Sequence, residues 1–214
     1  ERVELRYGLR FNRFDNVGPT ILYTVDENYN LVEEEGTLIA PGDFFHHEYG
    51  WEPRLGISVM ASPVVSVKAS YARTLQYVHL LSFSSAGSPM EIWIPSGPSV
   101  KPQSSHQVSA GVFANLFRKD YEASVEVFYK HLDNVLDFKE HPNLILYDKI
   151  ETELRFGTGK SYGIEFLLKR NKGALSGWVS YTWSRSFRTI PGVNNGQRYR
   201  SPSDRPHNIN IVVF

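Results

Sequence analysis

The chain has 214 residues, 41% hydrophobic and 14% aromatic, and its 23 basic and 23 acidic side chains cancel. A neutral balance argues against nucleic acid as a partner, because tracking a phosphate backbone needs an excess of cations. The lack of cysteine excludes a disulfide framework and thiolate metal sites, and no apolar run approaches the ~20 residues of a membrane helix. The first residues, "ERVELRYGLRF", carry no signal-peptide apolar region and begin inside a strand pattern, so the chain reads as a mature or internal piece.

Helical periodicity is nearly absent. Period-two alternation recurs in eight stretches, about 2–14, 53–62, 64–78, 106–117, 121–138, 150–170, 174–189 and 207–214. Such alternation marks strands with one apolar and one polar face. In the first, Val3, Leu5, Tyr7, Leu9 and Phe11 oppose Glu4, Arg6, Gly8, Arg10 and Asn12. The long segment 15–52 follows. Its "HHE" (46–48), near Asp43, offers His46 and His47 as weak metal-ligand candidates. Adjacent imidazoles diverge on a strand and converge only in a loop, and no third ligand stands at a diagnostic spacing. A solvated loop is the simpler reading.

Ser62 and Pro63 make a tight turn between the second and third strands. The loop 79–105 is long and rich in Pro, Gly and Ser, with low-complexity "SFSSAGS" at 82–88. Its "EIWIPSGPSVKP" sets Trp93 beside three prolines, which predicts a stiff loop that touches ligand or packs on its neighbours. Arg118–Asp120 turns the chain into 121–138, where Val125, Val127 and Tyr129 face away from Ser124, Glu126 and Phe128. A connection of middling length, 139–149, leads to the strand 150–170.

In that strand "GTGKS" (157–161) invites a phosphate-loop reading. The motif's first Gly would fall at Leu154, and a strand follows where a helix is needed. The glycines instead permit a bend or bulge, and Gly163 leaves space on the polar face. Asn171–Gly173 is tight, with Gly where positive φ is wanted. The connection 190–206 is long. "FRTIPGVNNGQRYR" (187–200) supplies Arg188, Arg198, Tyr199 and Arg200, groups that suit an anionic or sugar ligand. "DRPHN" (204–208) has no nucleophile elbow or oxyanion motif, so it does not read as catalytic. Pro206 is placed to start the last strand.

Short turns alternate with longer connections, the arrangement of an up-down outer-membrane barrel. A sharper test follows the apolar face of the four strands that run from short turn to long loop. Those faces are uncharged for about nine residues, the length of a tilted membrane strand. They end in Phe11, Tyr71, Tyr129 and Trp183, and two residues on stand Arg13, Arg73, His131 and Arg185. An aromatic girdle followed by cations suits the boundary of a bilayer with anionic headgroups. This assigns Val125, Val127, Tyr129, Val179, Tyr181 and Trp183 to lipid, and Glu122, Glu126 and Lys130 to a wet lumen.

"SYARTLQYVHLLS" (70–82), "EIWIPSGPSVKPQSSHQVSAG" (91–111), "GTGKSYGIEFLLKR" (157–170), "GWVSYTWSRS" (177–186) and "SPSDRPHNINIVV" (201–213) resemble, in this order, the barrel of TonB-dependent receptors of Bacteroidetes-type bacteria. The resemblance spans nearly the whole chain apart from 15–50. It implies a 22-stranded barrel in the bacterial outer membrane, plugged by an N-terminal domain and importing a nutrient. The implied partners are the lipid bilayer and lipopolysaccharide, TonB through a plug domain missing from this chain, a surface lipoprotein and an unknown small ligand. No cofactor, metal or catalytic residue is implied.

The expected fold is therefore all-β, an antiparallel transmembrane β-barrel region of about eight up-down strands over residues 1–214, one segment of the larger barrel without plug or signal peptide. The expected ligand-facing loop residues are Trp93, Arg188, Arg198, Tyr199 and Arg200. Two alternatives stand beside it. A complete eight-stranded barrel with an adhesin or structural role would pair its first and last strands, and the terminal Phe214 suits it. A soluble β-sandwich binding module would bury Val125, Val127, Val179 and Tyr181 against a second sheet.

Overall fold

The period-two stretches become one continuous antiparallel ladder. The computed structural model describes residues 2–26, 28–33, 35–81, 92–117, 120–142, 149–173 and 175–214. In chain order the strands are β1 (Val3–Val17), β2 (Thr20–Leu22), β3 (Thr37–Ile39), β4 (Phe44–Ser62), β5 (Val65–Gln76), β6 (Val78–Leu81), β7 (Ile92–Pro95), β8 (Gln103–Leu116), β9 (Tyr121–Phe138), β10 (Leu154–Arg170), β11 (Gly177–Thr189), β12 (Tyr199–Arg200) and β13 (His207–Val213). The main sheet runs β1-β4-β5-β8-β9-β10-β11, with β12 and β13 both on the far side of β11. Among the described residues β1 and β13 do not pair. The closure that a complete eight-stranded barrel requires is not formed.

The turns follow from local chemistry. The Ser62 hydroxyl accepts from the Val64 and Val65 amides at 3.3 and 3.1 Å, which closes the β4–β5 hairpin. Gly173 takes φ +114°, a conformation costly for any side chain. The Asn171 amide donates to the Asp120 carbonyl at 2.9 Å, so two neighbouring turns are tied together. Residues 82–91, 118–119 and 143–148, where part of the expected loops and of the Arg118–Asp120 turn falls, lie outside the described residues.

Three segments differ from expectation. Residues 44–52, expected in a loop, are the upper half of β4, paired with an extension of β1 through Asn12↔Gly50 and Asp15↔His47. The 79–105 loop contains the β6–β7 hairpin, with Leu80 opposite Trp93. Residues 150–153 form a short 3-10 turn before β10 begins. β12 and β13 also belong together. Both pair with β11, at Phe187↔Arg200 and at Trp183↔His207, so they form one neighbouring strand interrupted at 201–206. Asp204 staples the interruption: it accepts the Ser186 amide at 2.7 Å and pairs with Arg185 at 3.4 Å.

The "GTGKS" segment lies inside β10, and a register shift falls between Gly157 and Thr158. That is a bulge and not a phosphate cradle. Gly163 sits opposite Phe128 across the β9–β10 ladder. The expected space is filled: a Cβ at position 163 would meet the Phe128 ring at 2.8 Å and the Trp183 carbonyl at 2.5 Å.

The buried core does not lie between sheets. Leu81, Ile94, Val100, Leu136, Phe138 and Leu154 form it, with Ile92, Ile150 and Phe156 packed alongside. It gathers the β6–β7 hairpin onto the ends of β9 and β10 nearest the long loops. Gly163→Val should destabilise the full barrel by about 1–3 kcal/mol through overpacking, read as a lower midpoint of heat unfolding. Phe128→Ala in the same background should recover only part of the loss, because the Trp183 carbonyl still blocks the new side chain.

Candidate functional site

The register sorts the sheet into level rows, since residues paired across strands share a face. From β5 through β8 and β9 to β10, one row reads Arg73, His106, His131, Lys160. The row beneath reads Tyr71, Val108, Tyr129, Tyr162, and below it come Ala69, Ala110, Val127, Ile164, then Val67, Val112, Val125, Phe166. β11 continues these rows with Trp183 beside Ile164, Tyr181 beside Phe166 and Val179 beside Leu168. All six residues expected to meet lipid therefore lie on this one face. Val125, Val127 and Val179 keep 41%, 49% and 44% of their surface, and no second sheet covers them among the described residues. The sandwich expectation fails on that exposure.

The four strand-end cations do not share one row. Arg13 lies four residues above the register position of Arg73, His131 is level with Arg73, and Arg185 lies two below. Phe11, Tyr71, Tyr129 and Trp183 drift in step with them. The level thus falls by about one residue per strand from β1 to β11. With ~3.4 Å per residue along a strand and ~4.8 Å between strands, a boundary drifting so is level only if the strands tilt by roughly 35°, the tilt of a closed barrel.

The opposite face is polar. One row reads Glu4, Ser58, Lys68, Gly111, Glu126, Glu165, Thr182. Glu126 and Glu165 stand directly opposite each other, and neither has an ion-pair partner among the described residues. Like charges so placed repel. Lys68, the nearest cation of the row, is two strands from Glu126 and lies 4.4 Å over the Phe113 ring. A cleft of about 550 Å³ opens on this face between Arg2, Arg6, Lys68, Ser109 and Glu126.

Towards the long loops the expected ligand residues separate. Arg188 and Tyr199 meet on Asp137, at 3.0 and 2.9 Å. Burial, then the hydrogen bond to Asp137, pushes the Tyr199 phenol well above its ordinary value, so it stays protonated and donates. Arg200 pairs with Phe187 on the other face, and the Arg198 guanidinium lies 4.4 Å over the same ring. Arg198 and Arg200 therefore do not join the Asp137 group. Trp93 is 63% exposed on the free face of the β6–β7 hairpin, while its neighbours Ile94 and Ser96 are buried.

His46 and His47 lie on strand β4 and diverge, His46 to Glu48 at 3.0 Å and His47 to Asp15 at 2.6 Å. Among the described residues no group of three His, Cys, Asp or Glu side chains is placed to hold a metal. Two buried polar residues carried no sequence signal. Glu52, 4% exposed, accepts the Leu75 amide at 2.8 Å and lies near Arg54 and Arg10 at 3.6 and 3.8 Å. His79 meets the Ser96 hydroxyl at 3.2 Å, and Asn16 of β1 donates to the Ser96 carbonyl at 2.9 Å, which ties the hairpin to the wall.

An open antiparallel sheet with one apolar and one polar face, tilted and looped in this way, is a section of a transmembrane barrel wall. The family model for the TonB-dependent receptor-like β-barrel matches residues 1–211, and the chain belongs to that family. It is therefore part of an outer-membrane receptor barrel. The iron transporter FrpB from Neisseria meningitidis (F3-3 variant) has a similar structure, with a TM-score of 0.55 and 14% identity over 92% of this chain and 25% of that one. The chain thus spans a quarter of that transporter, and at this identity the likeness carries the fold alone. Comparison with curated protein sequences gives no match.

Burial holds the His79 imidazole below its ordinary value. The folded hairpin then binds fewer protons than the unfolded chain, so its stability falls as pH drops below about 6.5, by at most about 1.4 kcal/mol per unit, and is flat above. Hydrogen exchange of residues 78–81 and 92–94, corrected for intrinsic rates, should be faster at pH 5.5 than at pH 7.5. His79→Gln should remove the difference.

Proposed function

We propose that this chain supplies wall strands and ligand-capturing loops to a TonB-dependent nutrient importer of the Bacteroidetes type, a carrier without catalysis. The observation that carries the proposal is the two-faced ladder, apolar and exposed on one side, polar and acidic on the other. The apolar face meets lipid at Val125, Val127, Tyr129, Val179, Tyr181 and Trp183. The polar face lines the lumen. There the opposed carboxylates of Glu126 and Glu165 seat a cationic group of a plug domain, and TonB acts on the barrel through that plug. Pairing with a cation removes the repulsion that the bare wall carries.

At the mouth, Arg188 presents its remaining N–H donors beside the Tyr199 ring, both held in place by Asp137, and Trp93 offers a flat apolar face. Together they suit a small ligand with oxygen acceptors and an apolar part. Lipopolysaccharide meets the outward cations, and a surface lipoprotein over the mouth completes the set of partners.

In the full receptor, Val127→Arg should block assembly in the outer membrane, at a cost of about 2–4 kcal/mol near the midplane. Glu126→Arg should assemble normally but lower uptake. Heat-modifiable mobility reads assembly, and ligand accumulation reads uptake. Equal tolerance of both in assembly would sink the lipid assignment. Normal uptake by Glu126→Arg would remove the plug seat and leave the wall assignment standing.

A further inference from the structure

We propose that Arg73, His106, His131 and Lys160 form a defined site for the phosphate of a lipid headgroup on the outer surface of the wall. The inference rests on the reading that this face meets lipid. It goes beyond a general cation belt because these four side chains share one register row across four adjacent strands. Elsewhere the level of cations drifts. Here the four keep one register row, which in strands tilted by roughly 35° runs obliquely to the membrane plane, and spaced by about 4.8 Å they lie within roughly 15 Å of one another.

Charge accounting sets the row apart from the other strand ends. Arg13 pairs with Asp15 at 2.9 Å, and Arg185 with Asp204 at 3.4 Å. Arg73 has no carboxylate among the described residues: one Nη donates to the Trp51 carbonyl at 3.3 Å, and its Nε is buried without a partner. Lys160 is exposed and forms no ion pair among the described residues. His106 Nδ1 lies 2.9 Å from the Tyr71 hydroxyl; with that hydroxyl donating, Nε2 keeps its proton and is left to donate. His131 lies 3.1 Å from Asp133.

The next row towards the loops reads Leu75, Ser104, Asp133, Thr158. Asp133 is the one carboxylate in these two rows, and it also accepts from Ser104 at 3.3 Å. Two fixed cations, two imidazoles and the exposed Thr158 hydroxyl therefore face a single carboxylate. The surplus is positive and rich in donors, which suits a phosphate oxygen cluster. Directly beneath lie Tyr71, Tyr129 and Tyr162, and below them Val127 and Ile164. A molecule with a phosphate head and acyl chains matches both levels at once; free phosphate matches only the upper one.

The test uses the full receptor in nanodiscs of phosphatidylcholine, with or without one fifth phosphatidic acid. For the wild type, phosphatidic acid should raise the midpoint of heat unfolding by about 3 °C or more. Arg73→Gln with Lys160→Gln should lose that rise while keeping the wild-type midpoint in phosphatidylcholine alone. Arg13→Gln with Arg185→Gln should keep it. Should the double variant fail to assemble, Lys160→Gln alone carries the test and should shrink the rise by about half.

A rise that survives in Arg73→Gln with Lys160→Gln, or that is undiminished in Lys160→Gln alone, overturns the site. So does its loss in Arg13→Gln with Arg185→Gln, which would indicate a diffuse belt. An equal rise with inorganic phosphate in phosphatidylcholine discs overturns the lipid as the source. A spin label at Val127→Cys separates the underlying reading: relaxation by an aqueous nickel chelate in place of lipid-soluble oxygen would mean that the face is not in lipid at all.

Discussion

Every backbone amide and carbonyl inside a bilayer needs a partner from the protein, because hydrocarbon offers none. That constraint fixes the register of this sheet, and the register fixes everything else. The β9–β10 ladder runs from Arg170↔Tyr121 to Leu154↔Phe138 with a single shift, at Gly157. A slip of one residue would turn Glu126 outward and Val127 inward along with every other side chain of the strand. The same pairing sets the rows of tyrosines, cations and carboxylates, none of which is a local property of one strand.

The apolar side chains serve two ends. Most of them, from Val3 on β1 to Ile211 on β13, stay exposed on the wall. A smaller group, centred on Leu154 and Leu136, is buried at the loop end. The first group has a shape set by the ladder alone, whereas the second depends on contacts between distant segments. Around the second group the loops converge on the β9–β10 extension. Tyr29 stacks on Phe156, and the Arg155 guanidinium lies 4.2 Å over the Tyr29 ring. The mouth is built on a packed platform and not on independent loops.

This division explains what could be read from the sequence. Alternation is local, so the eight long strands, the turns at Ser62 and Gly173, and the face of each wall residue were legible one segment at a time. The upper half of β4 was not, because the "FFHH" at its start puts the same residue types on both faces and hides the alternation that Glu48, Tyr49, Trp51 and Glu52 resume. The Asp137 group was not, because Arg188 reaches it across β10: the glycines of 157–159 allow a bulge, but they do not say which distant residues it brings together. Arg198 and Arg200 were grouped with Arg188 because a loop has no readable parity until β12 pairs with β11. Gly163 looked like open space because its neighbour Phe128 is 35 positions away in sequence and adjacent only in the sheet.

The buried cluster at the loop end has a thermodynamic consequence. Its cohesion comes from excluding water, so it weakens in urea and on cooling. The wall beneath it meets acyl chains, where burial against water contributes little to holding strand on strand, and the hydrogen-bonded ladder persists. The two halves of the same strands β9 and β10 therefore answer to different solvents. Moderate denaturant would unfasten the loop end while the staves remain in the membrane, leaving an inserted wall whose upper rim has lost its order.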